Sequence, residues 1–141
     1  MSIDSTAFRS RTVPDGPFSL ENTFVHLKDV GAASALSIGP DFWNTMGARG
    51  DLQTGRLVWT TRFDKDMPHW EMHQAGDELL VVVSGAIELV LQGDGRSDRV
   101  VELGAGQAFL VPFGIWHRVR VKTPGEILFV TPGKGNQQRP I

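Results

Sequence analysis

The chain has 141 residues, a length that fits one domain. Fourteen Lys and Arg against sixteen Asp and Glu give a formal net charge of −2, so a nucleic acid is not an expected partner. Because the chain contains no cysteine, disulfides, thiolate zinc sites and iron–sulfur clusters are excluded. No apolar run approaches the roughly 18–20 residues that span a bilayer, and the N-terminal residues lack an apolar signal segment. We therefore expect a cytoplasmic protein without a membrane partner.

Sixteen Gly and eight Pro favour many short strands joined by turns, and hence an all-β fold. Residues 1–22 are polar and show no sustained period, which predicts an N-terminal arm. Residues 23–131 form the predicted β-domain. Within this domain, residues 40–44 fit either one helical turn or an irregular loop. Residues 132–141 form a C-terminal tail that is too rich in Gly and Gln for a core strand.

From Arg56 onward, strand-like runs alternate with turn signals such as Ser84-Gly85 and Pro124-Gly125. The runs are Arg56–Phe63, Leu79–Val83, Ala86–Gln92, Arg99–Leu103, Gln107–Val111, Trp116–Lys122 and Glu126–Thr131. Short strands at this regular spacing predict a sandwich or barrel. Both faces of the run Leu79–Val83 are apolar, which indicates that one face fills the barrel while the other packs on a second sheet or subunit.

The first candidate site lies in the segment PHWEMH, residues 68–73. An extended backbone places His69, Glu71 and His73 on one face. Residues two apart lie about 6.6 Å apart along a strand, and residues four apart about 13 Å. Glu71 and His73 can therefore share an ion, whereas His69 is a poor partner for His73. Glu78 follows a turn and begins an apolar strand, where burying a carboxylate is costly unless it binds something.

The second candidate site lies in the segment GQAFLVPFGIWH, from Gly106 to His117. Pro112 and Gly114 predict a tight connection between two strands, and the second strand then turns the His117 imidazole inward among aliphatic residues. Together with the first segment, His117 can complete a set of four ligands around a divalent ion inside a small barrel. Carboxylate and imidazole ligands suit Mn²⁺, Fe²⁺, Ni²⁺ or Zn²⁺, and open coordination positions would accept water or substrate.

Each of these residues also has an interpretation without a ligand. An isolated histidine is more often a hydrogen-bonded core or surface residue, and Glu71 fits an exposed strand position. Glu78 fits a carboxylate that accepts backbone N–H groups of the preceding turn. His26 and His69 are expected to face solvent or a substrate rather than a metal. The joint spacing of the two segments, rather than any single residue, favours a metal site.

The two segments resemble the two sequence motifs of the cupin superfamily. The first resemblance is carried by Glu71-x-His73-x4-Glu78-x6-Gly85 and the second by Gly106-x5-Pro112-x-Gly114-x2-His117. The resemblance covers about residues 56–131 and implies a double-stranded β-helix, also called a jelly-roll or cupin barrel, which is often a homodimer. It also implies metal ligands at Glu71, His73, Glu78 and His117.

Two positions depart from the family pattern. Glu71 stands where the family has its first histidine, which shifts the ligand set toward oxygen and favours a harder ion. Val121 stands where the family has an asparagine, and it offers nothing to a ligand.

The resemblance implies a small mononuclear metal-binding cupin, an enzyme of the oxygenase, isomerase or lyase type that acts on a small organic molecule. In this hypothesis either Glu71 or Glu78 can leave the ion and act as a catalytic base. The alternative is a non-catalytic cupin that binds or senses a small ligand. The sequence does not choose among these reactions, because one fold supports many functions.

Overall fold

The structure, a computed structural model, describes residues 11–39, 42 and 48–141. Its strands are β1 (Thr23–Leu27), β2 (Ala33–Ser37), β3 (Arg56–Phe63), β4 (His69–His73), β5 (Glu78–Leu91), β6 (Arg99–Gly104), β7 (Ala108–Val111), β8 (His117–Pro132) and β9 (Asn136–Pro140). A 3-10 turn spans Gly50–Leu52. The predicted all-β class is confirmed. Most of the segment 40–44 lies outside the described residues, so its two interpretations stay open. Within the described ranges, no helix is long and apolar enough to cross a membrane.

The long strands β5 and β8 each take part in two sheets. Residues 79–84 of β5 pair with residues 126–130 of β8, whereas residues 86–91 pair with residues 117–123. The first sheet has the order β2-β1-β3-β8-β5-β7, and the second has the order β9-β4-β8-β5-β6. The two sheets curl into the double-stranded β-helix that the sequence predicted.

The prediction that Ser84-Gly85 and Pro124-Gly125 are turns is wrong. Both strands continue through these positions, where the pairing register shifts in the manner of a β-bulge. Gly85 adopts φ +79°, and a side chain at Gly125 would overlap the carbonyl oxygen of Ser84. Glycine is required here because the backbones approach closely while bulges redirect β5 and β8 from one sheet into the other.

The C-terminal tail contributes an edge strand rather than a core strand. Strand β9 pairs with β4 along its whole length, from Asn136 opposite His73 to Pro140 opposite His69. Its residues are mostly exposed, which is why a Gln-rich sequence is tolerated. The described part of the N-terminal arm, residues 11–22, contacts the first sheet, where the Thr12 carbonyl accepts a hydrogen bond of 2.8 Å from the Ala35 N–H.

The main core lies between the two sheets and is aliphatic and aromatic. Its buried residues include Leu80, Val82, Ile87, Leu89, Leu103, Val111, Val119, Ile127 and Phe129. A second cluster consists of Phe24, Phe42, Leu52 and Leu57, and Trp59 packs against both clusters. Burial of each large side chain contributes roughly 1.5–3 kcal/mol. These clusters fix the strands that carry the candidate site.

His26 lies on β1, and the expectation that it faces solvent or a substrate is wrong. Its side chain is buried, at 2% exposure, and its Nε2 lies 2.7 Å from the Thr54 carbonyl oxygen. A carbonyl accepts hydrogen bonds only, so His26 donates and is a satisfied structural histidine.

Candidate metal centre

Three predicted ligands meet where β4 lies beside β8. Glu71 of β4 is paired in register with His117, the first residue of β8, and His73 follows two residues later on the same face of β4. Directly opposed residues of an antiparallel pair have neighbouring side chains. One ligand atom from each of Glu71, His73 and His117 lies within 4.8 Å of the others.

The fourth predicted ligand, Glu78, lies between the two imidazoles. Its Oε2 lies 3.1 Å from Nε2 of His73, and its Oε1 lies 3.4 Å from Nε2 of His117. The Thr131 hydroxyl donates a hydrogen bond of 2.7 Å to Oε2. The carboxylate is 2% exposed. Glu78 thus contacts both imidazoles, whereas the group whose ligand atoms all lie within 4.8 Å of one another consists of Glu71, His73 and His117.

A hydrogen-bond relay fixes the tautomer of His73. The Asn136 Nδ2 donates to the carbonyl oxygen of Pro132 at 2.9 Å, which directs Oδ1 of Asn136 toward Nδ1 of His73 at 2.7 Å. Because an amide oxygen only accepts, the His73 proton must be on Nδ1. Nε2 of the neutral ring therefore presents a lone pair toward Glu78.

His117 is oriented in the same way. Its Nδ1 lies 3.0 Å from the carbonyl oxygen of Ile115, which can only accept, so Nδ1 carries the proton. The His73 and His117 rings are 5.2 Å apart between centroids. Although His73 Nε2 lies 3.1 Å from Glu78 Oε2, neither atom has a proton to donate when both rings carry theirs on Nδ1. In these tautomers Nε2 of His73, Nε2 of His117 and Oε1 of Glu78 are buried and have no hydrogen-bond partner among the described residues. Three electron-pair donors thus face one another, an arrangement that a cation would satisfy.

The charges of the site are strongly coupled. Burial alone raises the pKa of the Glu78 carboxyl, but contacts with His117 and His73 outweigh burial and lower this pKa to about 2. Burial lowers the pKa of His73, while the contacts with Glu78 raise it above the ordinary value. Both shifts express the same physical fact: a buried carboxylate attracts positive charge, which either a proton or a metal ion can supply.

The site opens into a cavity of about 740 Å³. Its lining includes Phe24, Gln53, Leu57, Trp59, His69, Glu71, His73, Glu78, Thr131, Asn136, Gln137 and Gln138. His69 lies at the cavity wall, with its Nε2 3.2 Å from Oε1 of Glu71. It contacts a candidate ligand without belonging to the cluster of three potential metal ligands.

The sequence analysis missed Asn136 and Thr131, which orient His73 and Glu78. Asn136 is 63 residues from His73 and lies in the predicted C-terminal tail, outside the predicted β-domain. Thr131 is the last residue of a predicted strand and has no distinguishing spacing. Only the pairing of β9 with β4, which no local pattern reveals, could have indicated the role of Asn136.

The family model for the cupin domain matches residues 58–131, which is 74 of the 141 residues. The chain therefore belongs to the cupin family, and the resemblance found in the sequence is confirmed. No curated protein is significantly similar.

Several solved structures are similar to this chain. A cupin-2 domain protein from Shewanella frigidimarina is 19% identical, with a TM-score of 0.47, over 55% of this chain and 70% of that one. Hydroquinone 1,2-dioxygenase from a Sphingomonas species is 20% identical, with a TM-score of 0.47, over 54% of this chain and 58% of that one. A mutant of Bacillus subtilis oxalate decarboxylase is 18% identical, with a TM-score of 0.49, over 61% of this chain and 23% of that one. At these values the similarities carry no argument about activity or substrate.

The tautomers can be tested without a metal. In metal-free protein at mildly alkaline pH, long-range ¹H–¹⁵N spectra should show that both neutral rings, His73 and His117, carry their proton on Nδ1. Asn136→Ala should release the His73 ring into a mixture of tautomers and leave His117 unchanged, because only His73 depends on that amide. Gln137→Ala, on the same edge strand, serves as the control. An Nε2-protonated His73 in the parent protein would contradict the proposed orientation.

Proposed function

We propose that this cupin binds one divalent metal ion through Glu71, His73, Glu78 and His117 and acts as an enzyme on a small organic molecule in the adjacent cavity. The observation that carries the proposal is the convergence of two imidazole Nε2 atoms and a carboxylate oxygen, all buried and without a hydrogen-bond partner among the described residues. Their proton-bearing Nδ1 atoms are held on the far side of each ring.

The donor set suits a first-row divalent ion. Two nitrogen and two carboxylate donors, without sulfur, are typical ligands of Mn²⁺, Fe²⁺, Ni²⁺ or Zn²⁺. When bound, such an ion can polarise a carbonyl or enolate oxygen or, if it is iron, support oxygen chemistry.

The two carboxylates differ in how firmly they are held. Glu78 is 2% exposed and is fixed by Thr131 and the two imidazoles, which favours a permanent ligand role. Glu71 is 26% exposed, lines the cavity and, among the described residues, has one side-chain hydrogen bond, to His69. Of the two possible catalytic bases, Glu71 is therefore the better candidate, because it can reach a molecule in the cavity.

The metal proposal predicts the composition of the purified protein. Elemental analysis of protein prepared without chelator should give about one equivalent of a divalent ion per chain. His117→Ala and Glu71→Ala should each lower metal affinity, because each removes one donor while the core of the barrel stays intact.

His69→Ala is the matched control, since His69 lies on the same face of β4 but contacts Glu71 instead of the proposed ion. This variant should keep its metal. If His117→Ala and Glu71→Ala held the ion as tightly as the parent protein, the proposed ligand set would be wrong.

The catalytic part of the proposal needs a separate experiment. Metal-loaded protein, incubated under air with a panel of organic acids and sugars, should convert at least one of them. Metal-free protein and Glu71→Gln should not, because the first lacks the ion and the second lacks the proposed base. Tight binding without any product would instead favour a small-molecule binding or sensing module.

We also propose that two copies associate through the outer face of the first sheet. Five aliphatic residues lie opposite one another on neighbouring strands of this sheet. In order across the strands they are Val25, Val58, Val130, Leu79 and Leu110. These side chains form an aliphatic row that points away from the core, and Leu110 is 63% exposed. The other four side chains of the row are half-buried. An apolar row that stays partly accessible to solvent is a candidate protein interface.

The double variant Leu79→Lys, Leu110→Lys should therefore convert a dimer into a monomer, because charges would be buried in the contact. Size-exclusion chromatography with light scattering measures the mass. Val100→Lys is the control, since Val100 is also exposed but lies on β6, outside the row. A parent protein that runs as a monomer would refute the dimer.

A further inference from the structure

The lining of the cavity beside the proposed metal centre contains no Lys or Arg side chain among the described residues. Its ionisable lining consists of His69, Glu71, His73 and Glu78. A divalent ion held by two carboxylates and neutral imidazoles forms a centre of zero net charge. An anionic ligand would then lie in a partly enclosed space without a counter-charge, which is unfavourable.

One wall of the cavity is apolar and rigid. Trp59 is stacked on Phe24 at 5.4 Å and on Phe129 at 4.6 Å between ring centroids. Its Nε1 donates a 3.4 Å hydrogen bond to Thr131, the residue whose hydroxyl also binds Glu78. Because these side chains are packed on one another, the wall keeps its shape beside the centre. It offers a surface to the apolar part of a ligand.

The remaining lining is polar but uncharged. Gln53 and Gln138 line the cavity, and Gln138 is paired in register with Glu71 across the β4–β9 edge. Within the described chain neither amide forms a side-chain hydrogen bond, whereas the Asn136 amide bonds through both Oδ1 and Nδ2. Free amides donate and accept hydrogen bonds and do not neutralise a charge.

From these three observations we infer that the ligand of this cavity is an uncharged organic molecule with a flat apolar part and neutral hydrogen-bonding groups. Carboxylates and phosphates are disfavoured. The inference rests on the proposed metal centre, because the bound divalent ion balances the negative charges of the two carboxylates.

Three probes with the same ring test the inference. Zinc-loaded protein is titrated near neutral pH with benzamide, benzoate and benzylamine, which are neutral, anionic and cationic, and binding is measured by calorimetry. Benzamide should bind about tenfold more tightly than either charged probe. Equal or tighter binding of benzoate or benzylamine would overturn the inference, and so would a failure of all three to bind.

A variant that adds one positive charge to the lining gives an independent test. Gln53→Lys should raise the affinity for benzoate several-fold, because it supplies the missing counter-charge. Ser97→Lys, on the exposed β5–β6 turn, adds the same charge outside the cavity lining and should leave the affinity unchanged. An unchanged benzoate affinity in Gln53→Lys would also overturn the inference.

Zinc content, measured first on every sample, separates the two claims. Protein that takes up no zinc contradicts the proposed metal centre itself. Protein with a full equivalent of zinc but the wrong preference among the three probes contradicts the ligand class alone.

Discussion

The structure depends on one electrostatic constraint: the Glu78 carboxylate is buried between two histidine rings whose protons point away from it. Asn136 and the Ile115 carbonyl hold those protons on Nδ1, so the facing atoms are all electron-pair donors. Such a cluster is unfavourable in a dry interior unless a positive charge joins it. A proton on Nε2 of either ring would supply such a charge, and contacts of this kind with His117 and His73 lower the pKa of the Glu78 carboxyl to about 2.

The topology explains how residues distant in sequence reach that point. Glu78 and His117 are the first residues of β5 and β8, the two strands that cross between both sheets. Both begin at the proposed metal centre, and glycine bulges at Gly85 and near Gly125 pass each strand from one sheet to the other. Near its other end, β8 returns to the centre at Thr131. Strand β9 pairs with β4 as the edge strand of the second sheet, and this pairing places Asn136 opposite His73.

Much of this arrangement could be predicted from the sequence because it follows from local alternation. The period of two placed Glu71 and His73 on one face, and the spacing of turn residues predicted strands, of which Arg56–Phe63 coincides with β3. The failures share a physical cause, since each depends on contacts between distant segments. Gly85 lies at a bend within β5 instead of ending the strand, because β8 pairs with β5 on both sides of it. His26 can be buried because its ring donates a hydrogen bond to the Thr54 carbonyl. Asn136 becomes part of the site only through long-range strand pairing.

X-ray absorption spectroscopy of the zinc-loaded protein tests the central claim most directly, because it reports the atoms around the ion. The account predicts a first shell of nitrogen and oxygen at about 2.0–2.2 Å, with the multiple-scattering pattern of two imidazoles. That pattern should fall to one imidazole in His117→Ala. A shell of oxygen alone, or a spectrum unchanged by the loss of His117, would contradict a centre built from these four residues.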